Sequence, residues 1–455
     1  MSNTPTKRIV ILGGGFAGVS AAKELEKQLA RHPKVQITLV SRENFFLFTP
    51  MLHEVATSDL ELTTIVNPVR KILTRTQVFV GEIKSIDLSR REVTVSHGFD
   101  HHEHSLVWDH LVIGLGSRTN VYELPGLEER ALTIKSLGDA VRLRNHLIAQ
   151  LEEADSECVT KKDPLLTFVV AGGGFAGVET VAGINDFVRE VLPSYPHLRK
   201  EMLRVVLVHA GAIILPELGD KLGVYAQKKL AARGVEIHLN AKATSLSERS
   251  IELSDGTSIE SNTLVWAAGT SPYPLVRDLP CKKERGRIVV NPFLEVVGWP
   301  GVWAIGDCAA VPDASTGRAS PPTAQHALRQ GKIVGHNIAA DVRSKAKQPF
   351  VFATLGQLAT IGTRSAVANI LGVHFSGFVA WWFWRTIYLS KLPRVEKKVR
   401  VALDWSLDLL FSKDIVQFSM ESAPALTESS DEVSNSRARH HAEPRSADVN
   451  GVRQM

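Results

Sequence analysis

Arg8 to Gly18, R-I-V-I-L-G-G-G-F-A-G, is the stretch from which the fold is read. A short apolar run, Ile9 to Leu12, ends abruptly in glycines, and Val19 to Leu29 then reads as a helix. Gly13, Gly15 and Gly18 stand in G-x-G-x-x-G spacing. The first glycine permits a tight turn from strand to helix, and the second lets a pyrophosphate approach the backbone. The third allows close packing of helix on strand, and the helix N-terminus offers unpaired N–H groups to the phosphates. Phe168 to Glu179, F-V-V-A-G-G-G-F-A-G-V-E, repeats the pattern with Gly172, Gly174 and Gly177, and G-G-G-F-A-G-V is identical in both copies. Two such fingerprints a domain length apart predict an α/β chain with two Rossmann-like dinucleotide-binding domains.

A length of 455 residues, 44% hydrophobic and 22% charged, suits two or three globular domains. The net charge of +5 comes without a dominant Arg/Lys run, so no nucleic-acid partner is expected, whereas an anionic membrane surface is compatible. Cys158, Cys281 and Cys308 form neither a C-x-x-C pair nor a zinc spacing. They indicate a reducing compartment and no metal. The first strand follows directly on Met1 to Lys7, so no signal peptide is expected.

Val35 to Val40 reads as the next buried strand, followed by Ser41-Arg42-Glu43 where an acid for the ribose hydroxyls is expected. Asn44 to Thr57, N-F-F-L-F-T-P-M-L-H-E-V-A-T, is too irregular for a strand and too apolar for an ordinary loop. It reads as a buried connection or as a wall against a flat aromatic cofactor. Val78 to Asp87, Glu92 to Ser96 and His110 to Ser117 read as strands, and Ser136 to Ala154 as a helix. In the second unit, Arg204 to Val208 ends at His209, again without the ribose-binding acid, and Ala267-Ala268-Gly269-Thr270 closes the domain. Val302 to Asp307 is a strand ending in an acid suited to a polyol, and Pro321-Pro322 opens a helix running to about Arg343.

The final third is different. Leu371 to Leu389 holds Trp381, Trp382, Trp384 and Tyr388, and a basic cluster follows: Lys391, Arg394, Lys397, Lys398 and Arg400. Val395, Val399, Leu403, Leu407 and Leu410 recur at helical spacing. Tryptophans, basic residues and an apolar stripe describe helices lying in a membrane surface, with a dimer interface as the rival reading. From about Ser422 the composition predicts a disordered tail.

The double fingerprint, F-L-F-T-P-M-L-H-E-V-A, L-V-I-G-L-G-S, A-I-G-D and P-P-T-A-Q before Trp-rich helices occur in one order. Over Lys7 to about Phe418 that order resembles the type II (non-proton-pumping) NADH:quinone oxidoreductases of respiratory electron transport. The resemblance implies a FAD-binding domain of residues 1–125 and 296–370, an NAD(P)H-binding domain of 126–295, a membrane-surface region of 371–420 and a tail of 421–455. It assigns FAD to Gly13, Gly15, Phe16, Ala17, Gly18, Ser41, Arg42, Thr49, Ile83, Gly116, Asp307 and Ala324. NADH falls to Gly172, Gly174, Gly177, Glu179, His209 and Gly269. Glu179 is implied beside nicotinamide and flavin as a catalytic residue, Gln325 at the quinone headgroup, and Arg329 as a second quinone contact, where the family often has glutamine. The family usually has a glutamate where His209 stands. Its loss removes repulsion of a 2′-phosphate, so NADPH is expected to be accepted beside NADH. A homodimer, peripheral on the cytoplasmic face of the cell membrane, is implied as well. The rivals are a sulfide:quinone oxidoreductase, which needs redox cysteines near the flavin, and a non-catalytic nucleotide sensor.

Overall fold

The computed structural model describes residues 6–29, 32, 34–122, 124–156, 161–313, 317, 319–408 and 410–418, and the compact body extends to Val416. The tail expected from 421 and Cys158 lie outside the described residues. Lys7–Leu12 is the centre of a five-stranded parallel sheet ordered Val302–Ala304, His110–Ile113, Lys7–Leu12, Val35–Ser41, Gln77–Val80. Ile9 to Leu12 are all buried, as befits a continuous apolar run in a sheet covered on both faces. The chain turns at Gly13, where φ is +105°, into the helix Phe16–Leu29. A Cβ on Gly13 would overlap the Gly114 carbonyl, and one on Gly18 would overlap the Gly13 carbonyl, so strand and helix meet at backbone contact.

The second unit repeats this. Its four-stranded parallel sheet is ordered Val235–His238, Arg204–Val208, Thr167–Ala171, Thr263–Trp266, with the helix Phe175–Glu190 after the second fingerprint. The two units are stitched by the antiparallel pair Ser117–Thr119 and Thr270–Pro272. Val302–Ala304 then returns the chain to the first sheet beside His110–Ile113.

Three stretches depart from the sequence reading. Val78 to Asp87 is two strands broken at Gly81: Gln77–Val80 joins the parallel sheet, and Glu82–Asp87 joins an antiparallel sheet with Glu92–His97 and His102–Val107. Gly81 donates its N–H to Ser41 O at 3.0 Å, and its position leaves no room for a side chain against Ser96 and Val95. Asn44 to Thr57 is ordered as a strand Phe45–Leu47, a 3-10 turn Thr49–Met51 started by Pro50, and a short helix Leu52–Ala56. Leu371 to Leu389 begins as the strand Val373–Ser376, third in an antiparallel sheet with Gly356–Thr360 and Ala366–Ile370. Only Gly377–Lys391 is helical. Among the described residues no helix is long and apolar enough to cross a membrane.

Helix Ala324–Val342 lies directly on the first fingerprint helix. Gly331 and Gly335 leave no space for a Cβ against Ala17 O, Ala21 and Glu24, and Ser20 donates to Leu328 O at 2.6 Å. This close crossing fixes the N-terminal turn of that helix, with Gln325, beside the first fingerprint.

Candidate functional site

A cavity of about 530 Å³ opens where the two glycine turns, the 48–53 segment, the helix from Ala324 and the helix Gly377–Lys391 converge. Phe16 and Ala17 of one fingerprint and Phe175 and Ala176 of the other line it, with Thr49, Gly116, Asp307, Ala324 and Gln325. Phe48, Thr49 and Pro50 form one side, backed by Phe46, which meets Phe16 edge-on at 4.9 Å. The residues fit a flavin dinucleotide. A Cβ on Gly15 or Gly116 would meet nothing within 4 Å, so both backbones are open to an approaching group. Asp307 accepts from Ser117 Oγ at 2.7 Å, and Lys135 Nζ lies 3.2 Å from the same hydroxyl. Gly306 donates its N–H to Gln330 Oε1 at 2.8 Å, so the buried Gln330 anchors the Gly306-Asp307 turn. Gly174 is likewise open for the second nucleotide.

Ser41 and His209 occupy equivalent places. A side chain on Gly14 would strike Ser41, and one on Gly173 would strike the His209 ring. His209 Nδ1 accepts the Gly173 N–H at 3.1 Å, and its Nε2 lies against Gly211. Arg42 is exposed beside Glu43 at 3.4 Å. Ile83 stands on the antiparallel sheet opposite Val95, two residues beyond Gly81, away from the cavity. Gly269 closes on Tyr122, whose hydroxyl fills the space a Cβ would take.

Glu179 is the buried acid on the cavity wall. Its Oε1 accepts the Thr360 N–H at 3.2 Å and the Trp384 indole N–H at 3.3 Å. Oε2 points toward His53 Nδ1, 3.7 Å away. Burial pushes the Glu179 carboxyl up to about 8, against the pull of the two N–H donors and with help from the charge of Glu54. Burial pushes His53 down to about 4. At neutral pH the pair is thus a neutral imidazole beside a protonated carboxyl, rather than an ion pair. Since Oε1 is doubly hydrogen-bonded, the proton sits on Oε2.

His53 and Glu54 were not singled out from the sequence, and Trp384 was read only as one of the tryptophans of a membrane-surface stretch. Glu54 is held at about 8 by burial and by Asp59, and its Oε2 accepts from Trp405 Nε1 at 3.2 Å. Trp384 meets His53 edge-on at 5.8 Å and Tyr388 edge-on at 4.7 Å, and lies tilted against Trp405 at 6.3 Å. Trp384 stands 205 residues from Glu179 in the chain, so no local spacing joins them.

Gln325 Nε2 donates to Gly356 O at 2.6 Å, leaving Oε1 free of that bond. Arg329 is not on the cavity wall: its guanidinium stacks on Phe352 at 3.9 Å and donates to Gln325 O at 3.1 Å. Lys391 and Tyr388 reach the cavity instead. Burial, reinforced by Arg329, lowers the Lys391 ammonium below the usual lysine range.

The expected basic cluster does not act as a unit. Lys391 turns to the cavity, Lys397 is buried on Thr63 O, and Arg394 pairs with Glu396 at 2.8 Å. The apolar stripe does stand free. Helix Val395–Leu407 buries Val401 and Trp405, while Val395, Val399, Leu403 and Leu407 are each more than half exposed. Phe378 and Trp382 of the preceding helix are exposed in the same way.

Neither described cysteine is activated. Cys308 is buried, its S–H directed at the carbonyls of Ile305 and Ile113, and burial pushes the thiol up to about 11. Cys281 is also raised by burial. A thiol that stays protonated is a poor nucleophile.

Comparison with known proteins gives two family matches. The family described as pyridine nucleotide-disulphide oxidoreductase matches residues 7–331, and the NDH2 C-terminal domain matches residues 355–414. The chain is 34% identical over 423 residues to the type II NADH:quinone oxidoreductase Ndh of Mycobacterium tuberculosis, covering 89% of each. Its fold is similar to that of NDH2 from Plasmodium falciparum in complex with NADH, with a TM-score of 0.84 at 18% identity over 90% of this chain and 100% of that one. The sulfide:quinone oxidoreductase of Aquifex aeolicus shares the fold more distantly, with a TM-score of 0.66 at 16% identity over 92% of this chain and 100% of that one.

Proposed function

The chain belongs to the type II NADH:quinone oxidoreductases, and from that premise we propose how its own residues carry the reaction. It is a FAD-dependent oxidoreductase that passes two electrons from NADH to a quinone. The observation that carries the assignment of roles is the single cavity bordered by both glycine turns, by Asp307 and by the C-terminal helix. The chemistry supplied by bound FAD is two-electron transfer between nicotinamide and quinone.

In this reading the domains divide at 125, 295 and 370. Gly13, Gly15 and Gly18 cradle the FAD pyrophosphate, and Gly172, Gly174 and Gly177 that of NADH. Asp307, held by Ser117, takes the ribitol hydroxyls. Glu179 borders the nicotinamide and keeps its proton on Oε2 at neutral pH, so no carboxylate charge faces the incoming dinucleotide. Gln325 Oε1, Tyr388 and Lys391 lie toward the C-terminal helices and bind the quinone headgroup. Arg329 acts through Gln325, by holding its backbone carbonyl. Reduction of the quinone needs two protons, and Lys391, with its lowered proton affinity, is a donor on the cavity wall.

His209 supports use of NADPH beside NADH, because an imidazole presents no negative charge to a 2′-phosphate. The exposed stripe from Val395 to Leu407, with Phe378 and Trp382, supports peripheral seating on the lipid surface that holds the quinone. We assign that surface to the cytoplasmic side and expect a homodimer.

The test is steady-state oxidation of NADH and of NADPH by the purified yellow protein with a water-soluble quinone. Quinone-dependent NADH oxidation is expected. A flavoprotein bleached by neither nucleotide would overturn the reading in favour of sulfide as donor, and a colourless, inactive protein in favour of a nucleotide sensor.

A further inference from the structure

Lys135 borders the cavity, yet none of the roles assigned above falls to it. The chain brings it there along the edge of the second sheet. Leu132 N donates to Leu264 O at 2.9 Å and Trp266 N to Leu132 O at 2.7 Å. The segment from Leu132 therefore runs parallel to the strand Thr263–Trp266, toward its C-terminal end. The helix that follows clamps the next residues. Asp139 accepts the N–H groups of Lys135 and Ser136 at 3.0 and 3.1 Å, and Ser136 Oγ accepts that of Asp139, closing a capping box on the helix Leu137–Asp155. The backbone of Lys135 is thereby fixed from both sides.

Its side chain reaches the corner that holds Asp307. The ammonium donates to Ser117 Oγ at 3.2 Å, and the same hydroxyl donates to Asp307 Oδ2 at 2.7 Å. Ser117 is thus a neutral link between a cation and a carboxylate. An ammonium carries three hydrogens, and among the described residues Lys135 forms no ion pair that takes the other two. Glu179 keeps its proton at neutral pH and His53 is neutral, so neither offers Lys135 an opposite charge. The corner has room for an anionic partner, and its neighbours say which. Gly306, next to Asp307, lies against the first fingerprint, where an added Cβ would stand 3.3 Å from Ala17 Cβ. The group cradled by that fingerprint is the flavin dinucleotide. Electrons entering a flavin add negative charge to it, and a fixed cation nearby favours that state.

We propose that Lys135 is a flavin-binding residue supplied by the second unit, whose ammonium offsets Asp307 and favours the reduced, more negative flavin. The proposal rests on the FAD site read above at the first fingerprint and Asp307. It makes the two units share one electrostatic site: the segment that opens the helix Leu137–Asp155 also sets how readily the flavin accepts electrons.

The test compares the flavin-loaded wild type with Lys135→Met and Lys135→Arg. Each is equilibrated without oxygen against a reference dye of known potential, and the two absorbances give the reduction equilibrium of the flavin. Lys135→Met is expected to shift it toward the oxidised form about tenfold, or about 30 mV for a two-electron couple. Lys135→Arg keeps the charge and is expected to stay within about threefold of wild type. KM for NADH is measured beside it. A raised KM with an unmoved equilibrium in Lys135→Met would assign the ammonium to NADH and overturn the proposal, as would an arginine variant that behaves like the methionine one. Ser117→Ala removes the link but not the charge. A shift as large as that of Lys135→Met would mean that Lys135 only holds Ser117, which also overturns it. If Lys135→Met loses its flavin, retention by Lys135→Arg supports the role of the charge, and loss from both refutes it. A wild type without flavin would overturn the FAD site and this proposal together.

Discussion

Replacing Glu179 by glutamine isolates the cost of keeping a carboxyl in this site. The unfolded chain ionises a glutamate near pH 4.3, whereas the folded one holds the Glu179 proton to about 8. Between those limits the folded state binds more protons than the unfolded state. Stability is therefore complete below the unfolded value and falls as pH rises, by about 1.4 kcal/mol per unit, until the folded value is passed. From pH 5 to pH 7 the loss assigned to Glu179 is about 3 kcal/mol. Glu179→Gln keeps the shape and the Oε1 acceptor for Thr360 and Trp384 but cannot ionise, so that loss disappears. At about 2.1 cal/mol/K per residue over roughly 400 ordered residues, the variant should gain about 3 °C in Tm relative to wild type on going from pH 5 to pH 7. The comparison is a difference of differences, so any fixed cost of the amide cancels. The assay is thermal unfolding of both flavin-loaded proteins across that range, with kcat followed beside it. The inflection near pH 8 in the wild-type profile should shrink in the variant to the part carried by Glu54, which keeps its own raised value. A Tm difference independent of pH would refute the argument that burial holds the proton on Glu179.

Trp384→Phe removes an N–H that stabilises the ionised form of Glu179, so the same inflection should move to higher pH by less than about one unit, and an unmoved profile would refute the contact's role. His209→Glu should raise the ratio of kcat/KM for NADH over NADPH at least about tenfold, or about 1.4 kcal/mol of discrimination. Equal ratios would show that position 209 does not read the 2′-phosphate. Val399→Asp with Leu403→Asp places charge on the exposed stripe, at little cost to folding because both side chains are open to solvent. Sedimentation with anionic phospholipid vesicles should fall about tenfold, and unchanged sedimentation would move the lipid contact elsewhere.

What could be read from the sequence divides along one physical line. Gly13, Gly18, Gly172 and Gly177 are legible because a local part of their constraint suffices: Gly13 and Gly172 turn at positive φ, Gly18 and Gly177 pack on the carbonyls of those turns, and the spacing records it. The amphipathic stripe of Val395 to Leu407 is legible for the same reason, one helix being enough to define a face. Gly81 was missed because its constraint is set by Ser41 and Ser96, on strands distant in the chain. Arg329 was given to the quinone by the family resemblance, which often has a glutamine at that position. What the resemblance could not show is Phe352, a nearby aromatic ring on which the guanidinium settles.

The two helices that carry the exposed apolar residues each send one tryptophan inward to a buried carboxyl: Trp384 to Glu179 and Trp405 to Glu54. Arg385 stacks between Trp381 and Trp405 at 4.2 and 4.6 Å, and its charge favours the ionised form of Glu54. The outward faces of these helices thus share rigid segments with the groups that set the proton affinity of the cavity. A displacement of either helix that lengthens an indole N–H bond raises the affinity of the corresponding carboxyl for its proton, because that bond favours the ionised form. The C-terminal helices for this reason tune the cavity carboxyls as well as carrying the exposed apolar stripe. A chain shortened before Gly377 would lose both the stripe and the hydrogen bond from Trp384 that Glu179 receives.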